Sequence, residues 1–481
     1  MNLLVIMSDE HNARVLGSAG HPVAQTPNLD GLASGGTRFT NASCNIPICV
    51  PSRASFLTGR YGHQIDAWDN ATPYTGSAAQ SWGHRLVARG HHVTTIGKLH
   101  YRNSRDDIGL PDQRIPMHVM HERGDVFSSI RWDMPAAHHH VENVRDAGPG
   151  DSEYIRYDTE IADEACNWLE EESGQHARPW CLFVSFTLPH FPLTVPDEYF
   201  RRYPPEDVSL PIQWHPDDWP DHPHVAAFRE SRVQTRDEFP GEAATRRAIA
   251  AYLGMCTYLD AQIGRVLRAL NATGLADRTR VIYTSDHGET LGDYGLWGKS
   301  VMYDSAVAVP LILAGPDVPM GGVRDVGVSL VDLFPTICQA VGVPLEPADA
   351  NLPGESLWRL AQTERTEPRT VFAEYHAAGS VSGAFMLRTE RYKYVYYVGF
   401  EPQLFDLVND PQERQDLAGD QASAALLRQF DTELRTILNP EATDARAKAA
   451  QRELLAHNGG ETAMRAAGSN IKFTRAPEQF R

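Results

Sequence analysis

Arg280-Val281-Ile282-Tyr283-Thr284-Ser285-Asp286-His287-Gly288-Glu289 is a short apolar run that ends abruptly on an acid and a histidine. A run of that length, rich in β-branched and aromatic residues, predicts a buried strand. Its polar end then falls at the carboxyl edge of a sheet, where open α/β folds carry their chemistry. The start of the chain repeats the pattern: residues 3–7 are apolar, and Asp9-Glu10-His11 follow. Residues 181–187 and 310–314 also read as buried strands. Between 181–187 and 280–284 a long helix is predicted over residues 245–272. There Ile249, Leu253, Cys256, Leu259, Ile263 and Leu267 recur at helical spacing, and Asn271 to Gly274 end the pattern. The alternation predicts an α/β fold, a large and mostly parallel sheet with helices on both faces.

Outward from that frame, the polar stretch around 361–370 divides a catalytic domain over residues 1–365 from a smaller α+β subdomain over 366–481. In the latter, strands are expected at 371–375, 385–388 and 392–398, then helices at 422–438 and 442–455. Residues 456–481 have no strong pattern and read as an arm that wraps a partner subunit, so a homodimer or homotetramer is expected. Segments 103–150 and 204–241 are rich in Pro, His and Asp with weak periodicity, the character of cleft-forming loops. His138-His139-His140 reads as a solvated cleft loop rather than a second metal site.

The chain has 481 residues and a formal charge of −18. So acidic a protein should repel phosphate backbones, and nucleic acid is not an expected partner. No apolar stretch is long enough to span a bilayer, so no membrane partner is expected. The chain opens without a basic leader, and its six cysteines are scattered with no CxxC. These features read as a cytoplasmic protein with reduced thiols. Any anion site must then be a local positive pocket on an acidic body.

Cys49-Val50-Pro51-Ser52-Arg53-Ala54-Ser55-Phe56-Leu57-Thr58-Gly59-Arg60 supplies the reactive candidate. Pro51 suits a first helical turn and Gly59 a helix end. Cys49 therefore lies at a helix N-terminus, which favours an anion and lowers a thiol's pKa. A plain nucleophilic cysteine and a buried structural cysteine are both open on location alone. Asp286-His287 and Asp9-Glu10, at two strand ends, can cap helices, bind solvent, or ligate a divalent cation.

C-V-P-S-R followed by L-T-G-R resembles the signature of the formylglycine-dependent sulfatases of the alkaline phosphatase superfamily. The resemblance implies that a maturation enzyme converts Cys49 to formylglycine (3-oxoalanine), whose hydrated aldehyde is the nucleophile, with Arg53 holding it. It implies a cation site made by Asp9, Asp286, His287 and the modified Cys49, with Glu10 as a further ligand. Oxygen-rich ligands favour Ca2+, while the imidazole also suits Mn2+ or Zn2+. Gly97-Lys98-Leu99-His100 resembles the family's GK-x-H segment, implying that Lys98 and His100 hold and deprotonate the hydrated aldehyde. Pro189-His190-Phe191-Pro192 resembles its PH-x-P segment, implying that His190 is the leaving-group acid. Lys299 is implied to contact the same bridging oxygen.

In the C-terminal part, Glu374-Tyr375-His376, Arg391-Tyr392-Lys393-Tyr394 and residues 401–407 are similar to the choline-sulfatase branch. Asp69-Asn70-Ala71 is similar too, implying that Asn70 lines the sulfate pocket. His376, with Trp68, Tyr101 and Trp132, is a candidate wall for a substrate headgroup. Phosphonate monoester hydrolases and phosphodiesterases neighbour this branch and share its chemistry, so both ester classes stay open. A non-catalytic binder of sulfated or phosphorylated ligands is the alternative of another class. The expected substrate is a small anionic or zwitterionic ester.

Overall fold

Successive side chains of the first strand enter two different cores. Leu3, Val5 and Met7 pack on one face of a sheet, and Leu4 and Ile6 on the other. This is the physical basis of a strand with no polar face until its end. The computed structural model describes residues 1–132, 141–232, 239–363, 368–469 and 473–480. His138 to His140 lie outside them.

Eight strands form the large sheet: β1 Asn2–Asp9, β2 Gly36–Phe39, β3 His92–Lys98, β4 Asp112–Met117, β5 Trp180–Pro189, β6 Thr279–Ser285, β7 Leu311–Ala314 and β8 Gly322–Arg324. Their order is β8-β2-β7-β6-β1-β5-β3-β4. β7 runs antiparallel to both its neighbours, and the other pairings are parallel. The sheet is therefore mixed but mostly parallel.

The principal helices are α1 Pro27–Ser34, α2 Cys49–Thr58, α3 Glu153–Glu171, α4 Glu242–Ala272, α5 Leu333–Val341, α6 Ala424–Ile437, α7 Pro440–His457 and α8 Gly460–Ala467. α2 and α5 pack into the core that holds Leu3 and Val5 through Phe56, Leu57, Phe334 and Ile337. α1, α3 and α4 cover the opposite face through Leu29, Ile161, Trp168, Leu253 and Leu259. The helix expected over 245–272 thus begins three residues earlier, at Glu242.

A second, four-stranded antiparallel sheet follows: β9 Val371–Tyr375, β10 Ala384–Arg388, β11 Tyr392–Tyr397 and β12 Gln403–Asp406. Phe372, Phe385, Leu387, Tyr394 and Leu404 point to α6, where Phe430 and Leu434 cover them. Ala373, Tyr375, Met386, Val395 and Phe405 point the other way and merge with the first core of the large sheet.

One region differs from the sequence expectation. Segment 103–150 is not all loop, since it holds the edge strand β4, whose Gln113 and Arg114 leave little apolar pattern to read. The C-terminal arm packs on its own chain. Tyr154 Oη donates to the Thr474 carbonyl at 2.6 Å, Arg475 pairs with Glu153 at 2.8 Å, and Ala476 is fully buried.

Candidate active site

Four adjacent strands, β6, β1, β5 and β3, end side by side, and each delivers polar groups to the same edge. β6 runs into Asp286 and His287, β1 ends on Asp9 before Glu10, β5 leads to His190, and β3 ends on Lys98 before His100. α2 brings Cys49 to this edge as its first residue, with all ten residues of the helix buried. Gly59 ends α2 in the left-handed region at φ 66°, and a Cβ there would stand 2.6 Å from Phe334. The open N–H groups of α2 aim its positive end into the site. Asn70 Oδ1 accepts one of them, from Val50, at 3.1 Å.

Arg53, one turn into α2, does not touch the sulfur. Its Nε donates to Asp286 Oδ2 at 2.8 Å and its Nη2 to Asp9 Oδ2 at 3.2 Å. Its Nη1 donates to the Lys98 carbonyl at 2.7 Å and to Ser185 Oγ at 2.9 Å. One buried guanidinium therefore fixes two carboxylates and two strand ends. Lys98 Nζ lies 2.6 Å from Asp9 Oδ2. Burial alone would raise the Asp9 carboxyl, but Lys98, His190 and Arg53 together hold it well below the usual carboxylate range. Asp286 moves the other way, raised by burial and by the neighbouring Asp9 charge.

His287 donates Nδ1–H to the Gly288 carbonyl at 3.0 Å, which leaves the Nε2 lone pair facing the acids. Cys49 Sγ stands 3.2 Å from that Nε2 and 3.8 Å from Asp9 Oδ1. Asp9, Cys49, Asp286 and His287 each offer a ligand atom, all within 4.8 Å of one another. Two carboxylate oxygens and a bare imidazole nitrogen suit a divalent cation, so the residues fit the expected metal. The helix position does not activate the thiol, contrary to the sequence expectation. Burial, and then the Asp9 carboxylate, push it up to about 12.

Glu10 stands apart from that four-residue group. Its Oε2 accepts from Lys299 Nζ at 2.8 Å and lies 3.5 Å from His190 Nε2. His190 donates Nδ1–H to the Phe191 carbonyl at 2.7 Å, so Nε2 is its free nitrogen. Burial, Lys299 and Lys98 disfavour its cation and lower its pKa well below the ordinary histidine value. His100 is lowered in the same way, by burial and then by Lys98 and Arg53, and neither of its ring nitrogens has a hydrogen-bond partner.

A cavity of about 360 Å3 opens over these groups, lined by Cys49, Asn70, Lys98, His100, His190 and Lys299. Segment 103–150 contributes Val119, Met120, Asp125 and Phe127 to it, as expected of a cleft-forming stretch. Its aromatic walls are Phe127, Phe191, Trp297 and Phe473. Trp68, Tyr101, Trp132 and His376 are not among its lining residues. His376 is buried behind it, edge-on to Trp68 at 5.2 Å and bonded to Glu374 Oε2 at 3.1 Å. The wall residues Trp297 and Phe473 follow no motif. Each reaches the cavity only through the packing of a loop or of the tail.

Residues 1–343 match the family model described as Sulfatase, and residues 292–439 match that of the N-sulphoglucosamine sulphohydrolase C-terminal region. Choline-sulfatase of Rhizobium meliloti is 31% identical over 445 residues, covering 87% of this chain and 82% of that protein. Arylsulfatase K of Bos taurus is 28% identical, covering 91% and 82%. Phosphonate monoester hydrolase of Agrobacterium radiobacter superposes with a TM-score of 0.72 at 24% identity, over 93% of this chain and 96% of that one. That last likeness is one of fold.

Proposed function

The chain belongs to the sulfatase family of formylglycine-dependent hydrolases, and from that premise we propose that it hydrolyses a small-molecule sulfate ester at Cys49. The carrying observation is the meeting of Cys49 with Asp9, Asp286 and His287, where Cys49 opens into a cavity that Lys98, His100, His190 and Lys299 also line. Cys49 is converted to formylglycine by a maturation enzyme, which replaces the thiol by an aldehyde whose hydrate carries two hydroxyls. One hydroxyl gives up its proton to water and attacks sulfur as the ester S–O bond breaks, while Lys98 and Lys299 offset the charge that develops. His190 protonates the departing alcohol through Nε2. Burial and the field of the two lysines disfavour the cation of this ring, and a bound anionic ester offsets the part that comes from the lysines. His100 takes the proton of the second hydroxyl, sulfate is expelled, and water restores the diol. Asp9, Asp286 and His287 would hold a divalent cation (Ca2+, Mn2+ or Zn2+), which would supply Lewis-acid polarisation of the sulfuryl oxygens.

The test is a peptide mass across Cys49 beside turnover of 4-nitrophenyl sulfate, in protein made with the maturation system. Loss of sulfur and two hydrogens with gain of one oxygen at position 49, the change from thiol to aldehyde, together with turnover, both lost in Cys49→Ala, is the expected result. An unmodified thiol without turnover would favour a binding protein for sulfated or phosphorylated ligands. A second reading, phosphonate monoester or phosphodiester hydrolysis, is favoured by the absence of any sulfur-specific group among the residues named. Lys98, Lys299 and His190 serve any tetrahedral monoanion. Kinetics on matched aryl sulfate, phosphonate monoester and phosphodiester separate the two.

A further inference from the structure

We propose that Glu10 is a positioning residue for the leaving-group side of the site, holding Lys299 beside His190, and that it is not a metal ligand. Its backbone is pinned on both sides: its N–H donates to Asp286 Oδ1 at 3.2 Å, and its carbonyl accepts from Tyr252 Oη at 2.6 Å. Between these anchors it adopts the left-handed region, φ 69°, which few non-glycine residues do without a structural reason. The turn separates two consecutive acids. Asp9 joins Asp286, His287 and Cys49, while Glu10 reaches Lys299 Nζ at 2.8 Å and lies 3.5 Å from His190 Nε2.

Asp9, Glu10 and His190 also stand close enough to hold an ion. Ammonium groups already occupy those oxygens, Lys98 Nζ at 2.6 Å from Asp9 Oδ2 and Lys299 Nζ at 2.8 Å from Glu10 Oε2. A second cation there would meet two positive charges at contact distance. Lys299 is steadied on its other side by the Phe191 ring, 5.1 Å from Nζ. Among the described residues, Glu10 is the hydrogen-bonding anchor for the end of this flexible four-carbon chain next to an open cavity.

The proposal rests on the sulfate-ester reading, because it assigns Lys299 and His190 to the bridging oxygen. The experiment compares wild type, Glu10→Gln, Glu10→Ala, Lys299→Met and Asp286→Asn, loaded with the metal and checked for cooperative melting. Bound metal is counted by elemental analysis, and turnover is measured on 4-nitrophenyl sulfate and phenyl sulfate. Glu10→Ala should keep the metal count that Asp286→Asn loses. It should lose about 10²-fold in kcat on phenyl sulfate, the scale of one removed charge-stabilising group, and far less on the better leaving group. Glu10→Gln, which keeps an acceptor oxygen, should recover part of the loss. Either Glu10 change should add almost nothing in the Lys299→Met background, since the two act as one unit.

A metal count in Glu10→Gln as low as in Asp286→Asn overturns the proposal, as does an equal loss on both esters. A fully additive Glu10→Ala, Lys299→Met double variant overturns it as well. If wild type turns over neither ester, the functional reading fails separately, and the metal count still decides whether Glu10 is a ligand.

Discussion

Arg53 carries the two metal-facing carboxylates on one guanidinium, so its removal leaves Asp9 and Asp286 buried with fewer partners. Arg53→Met should cost roughly 3–5 kcal/mol of stability, the usual loss when one side of a buried ion pair is deleted. Chemical denaturation of the variant against wild type measures it. Arg53→Lys should recover only part, because an ammonium cannot reach both acids, a carbonyl and Ser185 at once. His100 makes a second prediction. Burial, Lys98 and Arg53 all depress its pKa, and a bound cation acts in the same direction. A base must be unprotonated to work, so the acidic limb of kcat against pH should fall below pH 6.5, the ordinary histidine value. His100→Gln should lower kcat by about 10²-fold or more and remove that limb.

At the scale of elements, the tail changes what the cavity is. Phe473 meets Tyr154 edge-on at 5.2 Å, and Phe473 and Thr474 line the cavity wall. The clamp behind them is double: Arg475 pairs with Glu153, and the Ala476 N–H donates to the same carboxylate at 3.0 Å. Phe473→Ala should therefore raise KM for an aryl sulfate by roughly 2–10-fold, the scale of one lost aromatic contact, with kcat nearly unchanged. Steady-state kinetics give that split directly. An equal fall in kcat would mean that the tail shapes the reacting centre instead. The tail has no helical or strand period, so its docking in cis was not legible. α3 is the opposite case: Tyr154, Ile161, Ala165 and Trp168 do repeat at helical spacing along its buried face.

At the scale of the whole molecule, the two sheets are one core. Met386 and Val395 of the small sheet pack into the cluster that holds Leu3 and Val5 of the large one. A buried ionic knot joins them: Lys393 Nζ lies 2.6 Å from Glu413 Oε1, donates to the Met302 carbonyl at 3.0 Å, and pairs with Asp304, which also holds Arg388. Lys393→Met should cost roughly 3–5 kcal/mol, because the buried Glu413 loses its ammonium and half-buried Asp304 keeps only Arg388. Denaturant unfolding followed by near-UV and far-UV signals should remain a single coincident transition. Two separated transitions would show that the C-terminal sheet folds on its own.

The sequence by itself determined the frame of this protein and the addresses of its chemistry. The apolar runs 3–7, 181–187 and 280–284, each followed by polar residues, read as buried strands that deliver Asp9, His190 and Asp286 to one sheet edge, and the GK-x-H segment marks Lys98. Pro51 and Gly59 bracket the helix that presents Cys49. The charge of −18 is no obstacle to an anionic ester, because Arg53 and Lys98 are buried, and Lys299 half-buried, around one point. Periodicity tells which face a residue takes, but not which of two nearby groups its side chain reaches. Tertiary packing alone decided that Glu10 meets Lys299, that His376 lies behind the cavity, and that the tail closes over its own chain. It also decided that the Cys49 thiol is raised rather than lowered, since desolvation is set by everything packed around a group and outweighs the helix end it sits on.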